Sequence, residues 1–279
     1  SKAEGKKWVW KGATCLDPDE RLCLVNLSDG GEDAVTLREF DLQAGKFVEG
    51  GFVLSKSKQN EAWADKDTVY VSRDWGAGTM TASGYPFVVK ALKRGQSIES
   101  AVEVFRGAAA DQVGSAPFTL SDGSGNRASF IYRGTTFFEN ETYLLTPEGA
   151  KRVPLPGKAQ ISGMVDGHVI VTTSEDWVVG NTKVPAGAVA TVTLKDIQDG
   201  GPLSPTVIFA PNARQSVSGV GTTKSRLIVS ILDNVRGRAL VFAPGAKGWT
   251  STPLKLQDNV AVSISGTSER SDRAFVRSE

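Results

Sequence analysis

The sequence predicts an all-β chain folded as a β-propeller of four-stranded antiparallel blades. Three observations carry that reading. First, 30 glycines and 12 prolines are spread along the 279 residues, mostly between short apolar runs, which suits many turns and few helices. Second, one order of elements recurs: strand, tight polar turn, strand, longer loop, strand, turn, strand. Third, first strands start near residues 13, 60, 117, 160, 215 and 260, and a period of about 40–50 residues with four strands per copy is the propeller signature. The repeat lies in topology and spacing, since no WD series or kelch double-glycine pattern marks the copies. A β-sandwich with regular turns is the competing architecture.

The first blade covers residues 8–53. Strand 13–16 ends in Asp17-Pro18-Asp19-Glu20, where proline suits the second turn position. Strand 21–28 ends at Asp29-Gly30-Gly31-Glu32. Strand 34–42 alternates, with Val35 and Leu37 on one side and Thr36, Arg38 and Phe40 on the other. Gln43-Ala44-Gly45-Lys46 turns into 47–53. A single sheet of this kind cannot bury both faces, so the unit needs neighbours. Cys15 and Cys23 flank the first turn, as a cross-strand disulfide or as two buried thiols.

Later copies follow the same plan. Blade two, residues 60–106, has strands 60–64 and 68–73, a long loop 74–84, then 85–92 and 98–105. Residues 97–105 are the one modest helical candidate, through the spacing of Ile98, Val102 and Phe105, though they also suit a strand. Blade three is 117–156. Blade four, 160–210, carries Asp166-Gly167, a strong hairpin signal, then a long loop 174–187. Blade five is 215–256, with a loop at 233–237, and a partial sixth is 260–279. The whole of 1–279 is expected to be one propeller domain. An incomplete ring leaves two unpaired edges. Either Trp8-Val9-Trp10 pairs onto the last blade, or the chain is a fragment.

Composition narrows the function. A net charge of +1 gives no strong field toward nucleic acid. No apolar run approaches the ~20 residues of a membrane helix, and residues 1–7 carry no apolar leader segment. Two cysteines and one histidine do not make a four-ligand zinc site. Asp17 and Asp19, Asp65 and Asp67, and the acids of 29–33 lack the calcium-loop pattern and read as turn residues. No cofactor and no metal is expected.

The run SDGGEDAVTLREFDLQAGKFVEGGFVLSKSKQNEAWADKDTVYVSRDWGAGTMTASGYPFVVKALKRG, residues 28–95, is similar to the first two propeller blades of prolyl oligopeptidases. The matching features are Asp19 at the turn, strand 22–27, Ser28-Asp29-Gly30-Gly31, strand 35–41 ending in Asp41, and Ala62-Trp63 opening the next blade. The resemblance is specific over residues 8–110 and is nearest to bacterial members; beyond 110 it rests on strand order and period. It implies a propeller of seven blades that covers an α/β-hydrolase domain carrying Ser, Asp and His and limits access to short peptides. The chain is then expected to be a truncated N-terminal propeller of a serine peptidase, without its hydrolase domain, in a bacterial cytoplasm or periplasm. Its expected partners are that hydrolase domain and short proline-containing peptides.

The chain offers no catalytic residues of its own. A nucleophile elbow needs Gly-x-Ser-x-Gly, and no serine here has glycine at both positions. His168, the lone histidine, follows Asp166-Gly167 and reads as a turn-adjacent polar residue. The links after second strands are longer and richer in aromatics and arginines, which suits a binding face. They supply Trp75, Arg133, Phe137, Phe138, Trp177 and Arg236 as partner- or substrate-facing candidates; packing over blade edges would equally explain the aromatics. The resemblance implies a substrate-facing Arg133 and a gating loop at 74–84. A stand-alone binding scaffold is the second reading. A channel enzyme of another class would need acids on the innermost strands, and those carry only Glu61.

Overall fold

The computed structural model describes residues 4–279; Ser1, Lys2 and Ala3, the start of the stretch read for a leader, lie outside the described residues. The described chain is all-β, in four-stranded antiparallel sheets of up-and-down order. It falls into two compact units. One is the chain up to Thr119 with Ala128–Arg152; the other is Leu120–Arg127 with Val153–Glu279.

In the first unit the opening sheet is β1 (Trp8–Cys15), β2 (Leu22–Asp29), β3 (Val35–Asp41), β4 (Lys46–Phe47) and β5 (Val53–Ser57). Trp8, Val9 and Trp10 pair with Asp29, Ser28 and Leu27 of β2. They are the start of a long first strand, and pairing onto the last blade, one of the two arrangements the sequence left open, is not what β1 shows. The expected fourth strand, 47–53, is broken. β4 and β5 both lie against β3, because the chain turns at Gly50 and Gly51 over the buried Glu39 carboxylate. A Cβ on Gly51 would sit 2.8 Å from Glu39 Oε2, and the next amide, Phe52 N–H, donates to that oxygen at 2.8 Å. Cys15 and Cys23 are register partners and are joined as a disulfide.

The next sheet is β6 (Asn60–Asp65), β7 (Thr68–Ser72), β8 (Val88–Lys93) and β9 (Val102–Arg106). Residues 97–105 resolve into a single 3-10 turn, Ile98–Ser100, and then a strand. The third sheet is β10 (Gly114–Ser121), β11 (Arg127–Gly134), β12 (Asn140–Thr146) and β13 (Gly149–Val153). Alternation along β3 puts Val35, Leu37 and Glu39 inside. Leu37, Phe52 and Leu54 of the first sheet pack with Trp63, Val69, Val71 and Leu92 of the second. Val89 and Phe105 meet Ile131 of the third. Buried polar groups lock the same sheets together: Trp63 Nε1 donates to Thr14 O at 2.9 Å and Thr119 Oγ1 to Trp63 O at 2.8 Å.

In the second unit β14 (Ala159–Val165) and β15 (His168–Thr173) are followed by a small hairpin, β16 (Trp177–Val179) and β17 (Thr182–Val184). The sheet is completed by β18 (Val189–Thr193) and β19 (Thr206–Phe209). The hairpin lies where the sequence predicts a plain loop, and Gly180 at φ 55° turns it. A short helix, α1 (Leu194–Asp199), is a second addition. Thr193 caps it by accepting Asp196 N–H, Gly200 at φ 72° ends it, and Leu194 and Ile197 are its buried anchors. The fifth sheet is β20 (Gln215–Thr222), β21 (Leu227–Asp233), β22 (Arg236–Ala243) and β23 (Thr250–Pro253), and the last is the pair β24 (Val262–Thr267) and β25 (Ala274–Ser278). Val165, Ile170 and Val189 pack on Leu227, Val229, Ile231 and Phe242.

Glu39 is fully buried, and Arg94 grips it with both ends of its guanidinium, at 2.7 and 3.0 Å. Arg94→Ala is expected to strand that carboxylate and cost roughly 3 kcal/mol or more, read as a lower urea midpoint. The Cys15→Ala, Cys23→Ala double variant should lose about 2.5 kcal/mol by the loop-closure relation for a short loop, measured by the same denaturation.

Candidate functional site

The candidate residues sit at or beside the links between second and third strands of their sheets. In the first unit, the 74–84 loop is held by its own hydrogen bonds. Trp75 N–H donates to Thr79 Oγ1 at 3.0 Å, Thr79 Oγ1 donates to Gly76 O at 2.7 Å, and Thr81 N–H donates to Tyr85 O at 2.8 Å. Thr79 and Thr81 are buried. The Trp75 indole donates to Val88 O at 3.1 Å and lies under the Lys90 ammonium, 4.6 Å from the ring centre. The ring is thus used in packing one face of β8.

Arg133 ends β11 on a carboxylate pair. Nε and Nη2 reach the two oxygens of buried Asp111 at 2.9 and 3.0 Å, and Nη1 reaches Glu141 Oε2 at 3.0 Å. These bonds, Asp111 first, hold the guanidinium protonated more firmly than usual. Burial pushes the Asp111 carboxyl up, but the Arg133 bonds and the Ala108 N–H outweigh it and leave it lowered. Most of the donor fork is therefore committed inside the protein. Four and five residues on, the Phe137 and Phe138 side chains have no such engagement and are 66% and 82% exposed.

In the second unit, Trp177 is buried, whereas its strand neighbour Val178 is 64% exposed. Arg236 is the exposed first residue of β22, because the expected 233–237 loop is a two-residue turn: Asp233 pairs with Arg236. Asn234 and Val235 both take left-handed conformations, φ 48° and 63°. That is unfavourable for a β-branched residue, and Val235 is 92% exposed. Val178 and Val235 were not legible as candidates. The signal for Val235 was a tip of Asn-Val between two apolar runs, where Asn-Gly would be the relaxed choice.

Glu61, on β6, is nearly buried. Asn26 Nδ2 donates to its Oε1 at 2.6 Å and Thr14 Oγ1 to the same oxygen at 3.4 Å. Burial pushes its carboxyl up to about 7, against those two bonds. His168 contacts the Asp166 carbonyl through Nδ1 at 2.9 Å and meets Trp249 edge-on, with ring centres 5.6 Å apart. Among the described residues, no group of three or more His, Cys, Asp or Glu side chains is placed to hold a metal ion, and no helix is long and apolar enough to cross a membrane.

Consecutive four-stranded sheets of up-and-down order are the blades of a β-propeller. Over residues 1–279 the chain matches the family described as prolyl oligopeptidase, N-terminal beta-propeller domain, and it belongs to that family. It is 43% identical over 286 residues to an uncharacterized peptidase of Sinorhizobium fredii, covering 100% of this chain and 39% of that protein. It is 26% identical over 294 residues to an uncharacterized peptidase of Rickettsia prowazekii, covering 100% of this chain and 41% of the relative. Both relatives are bacterial. The chain thus spans about two fifths of the length of the curated relatives it matches. Among solved structures it is similar to a post-proline cleaving enzyme from Rickettsia typhi, with TM-score 0.91, 25% identity, and coverage of 100% of this chain and 42% of that one.

The Glu61 environment has a signed pH consequence. Its folded value of about 7 lies above the ordinary 4.5, so the folded state binds the extra proton. The stability this group contributes is full below about pH 4.5 and is lost as pH rises through about 7. The loss approaches roughly 3 kcal/mol. Urea midpoints at pH 5 and pH 8 should differ in the wild type by more than in Glu61→Gln, which keeps an uncharged side chain of the same shape.

Proposed function

We propose that this chain is the non-catalytic propeller of a bacterial prolyl oligopeptidase-like serine peptidase. It covers a hydrolase domain and restricts access to short, proline-containing peptides. The single observation that carries the reading is the family match along all of residues 1–279, together with a relative 43% identical over the same span. Substrate class follows from the structural neighbour described as post-proline cleaving. In each unit by itself, the exposed tips, Phe137 and Phe138 in the first and Val178 and Val235 in the second, are assigned to the hydrolase domain. Large apolar side chains left in water at equivalent positions of successive sheets fit a buried partner. Arg133, tied to Asp111, would act by shaping the 107–113 and 134–139 links; Trp75 would flank the tips of the first unit, and Trp177 and Arg236 those of the second.

The isolated chain is expected to release nothing above blank from a proline-anilide substrate and to take up no fluorophosphonate label. Joined to the downstream hydrolase domain, it should cleave the same anilide. Labelling of the isolated chain would sink the reading. Phe137→Ser with Phe138→Ser should change the chain's own stability by less than about 0.5 kcal/mol, yet weaken binding to a separately expressed hydrolase domain by about tenfold or more, measured by calorimetry. Val235→Gly relieves the left-handed strain and should raise the stability of the chain by about 1 kcal/mol.

A further inference from the structure

Within the first unit, Arg21, Arg38, Arg94, Arg106, Arg133 and Arg152 are each ion-paired with an aspartate or glutamate. None of those arginines is buried. Arg73, the residue after β7, is the exception on both counts. It is 8% exposed, and among the described residues no carboxylate pairs with it. Its Nη2 donates to Ser55 Oγ at 3.1 Å, while its Nη1 is enclosed without an acceptor. The acid that bears on it, Asp74, is exposed and accepts Gly76 N–H at 2.9 Å. Burial pushes the Arg73 guanidinium below its usual value, and Asp74 opposes this only in part. The acid partners of Arg21, Arg94, Arg106 and Arg133 push those groups the other way.

A buried charge is costly unless it is paired and hydrogen-bonded. A guanidinium presents a planar fork that one carboxylate fills with two parallel bonds. Arg73 has that fork, with a single neutral hydroxyl on it. A second cation stands at the same place. The Trp75 ring carries Lys90 Nζ at 4.6 Å from its centre and the Arg73 guanidinium carbon at 6.0 Å. Glu103, the acid that feels Lys90, is itself held by Arg106 at 2.6 Å. A chain of net charge +1 therefore gathers two cations on one indole with no acid pairing either of them.

The fork is within reach of solvent on one edge. Ser55, its one partner, lies on β5 and is exposed. Asp74 N–H donates to Ser57 Oγ at 3.3 Å, which keeps the start of the 74–84 link beside β5. An anion arriving between β5 and that link meets Nη2 first and Nη1 behind it.

We infer that Arg73 is a receptor for a carboxylate brought by another polypeptide, which displaces Ser55 Oγ and takes Nη1 and Nη2 together. Arg133 spends its fork on Asp111, whereas Arg73 keeps its own for an acid from outside the unit. The carboxylate is the terminal one of a short peptide or an acidic side chain of the hydrolase domain. That use of the site rests on the reading of the chain as a peptidase propeller.

Sodium acetate, exchanged for sodium chloride at constant pH and ionic strength, is the probe. It should raise the urea midpoint of the isolated chain in a saturable way and leave that of Arg73→Met unmoved. No response in the wild type, or an equal response in both proteins, overturns the receptor. Arg73→Lys keeps the charge and loses the fork, and serves where Arg73→Met does not fold. The acetate concentration for half the effect should then rise several-fold, and an unchanged one overturns the receptor. Joined to the hydrolase domain, wild type and variant are compared on one proline peptide with a free or an amidated C-terminus. A fall of about fivefold or more in kcat/KM for the free acid alone assigns the carboxylate to the peptide. A similar fall for both peptides, with about tenfold weaker binding of a separately expressed hydrolase domain, assigns it to that domain. Equal kcat/KM and equal binding overturn the use of the site in the peptidase. If the joined wild type cleaves neither peptide, the peptidase reading has failed, and the receptor stands or falls on the acetate response alone.

Discussion

Each four-stranded sheet has two faces and cannot bury either alone; everything else in the structure follows from that constraint. Trp63 shows how it is met. Its ring is almost fully buried between the first two sheets, against Phe52 in an edge-to-face pair. Its indole N–H and its carbonyl each bond to a neighbouring first strand, through Thr14 O and Thr119 Oγ1. One residue thus serves three sheets. Removing a sheet would expose the apolar face of the next, so the stability of a blade belongs to its neighbours as much as to itself.

Two buried glutamates in the first unit are accommodated by opposite means. Glu39 keeps its charge environment satisfied by a bidentate guanidinium and a backbone amide, and Arg94 in turn covers the Phe52 ring at 4.7 Å. Glu61 has only an amide and a hydroxyl for company, which favours the protonated form. Asp111 pairs with Arg133, whereas Asp122 and Asp272 accept from backbone amides and hydroxyls at hairpin tips. Asp122 and Asp272 therefore also join one sheet to another.

Glycine at tight turns, proline positions and period-two alternation are local properties, so strand order and repeat were legible in the residues. Asp166-Gly167 marked a hairpin, and the copies at 60, 117, 160 and 215 appear as four-stranded sheets. What was not legible depends on contacts distant in sequence. The break in 47–53 exists because Glu39 is buried beneath Gly51. The β16–β17 hairpin and α1 are too short for periodicity to declare. Which of the candidate aromatics face water, Phe137 and Phe138 and not Trp177, is decided by packing. Val235 escaped notice because a β-branched residue is not the chemistry a left-handed turn asks for.

The residues by themselves determined the all-β class and the four-stranded repeat, since both rest on spacing and local propensity, and the run 28–95 carried the resemblance to the family. They also determined that no Gly-x-Ser-x-Gly elbow lies in this chain. Only the tertiary structure decided that Arg133 spends its donors on Asp111, that Glu61 is enclosed, and that the β10–β11 tip reaches the β20–β21 and β24–β25 turns. The reason is physical. Burial, pairing and contact between sheets are properties of the space between strands, and no local pattern of residues records what stands on the other side of that space.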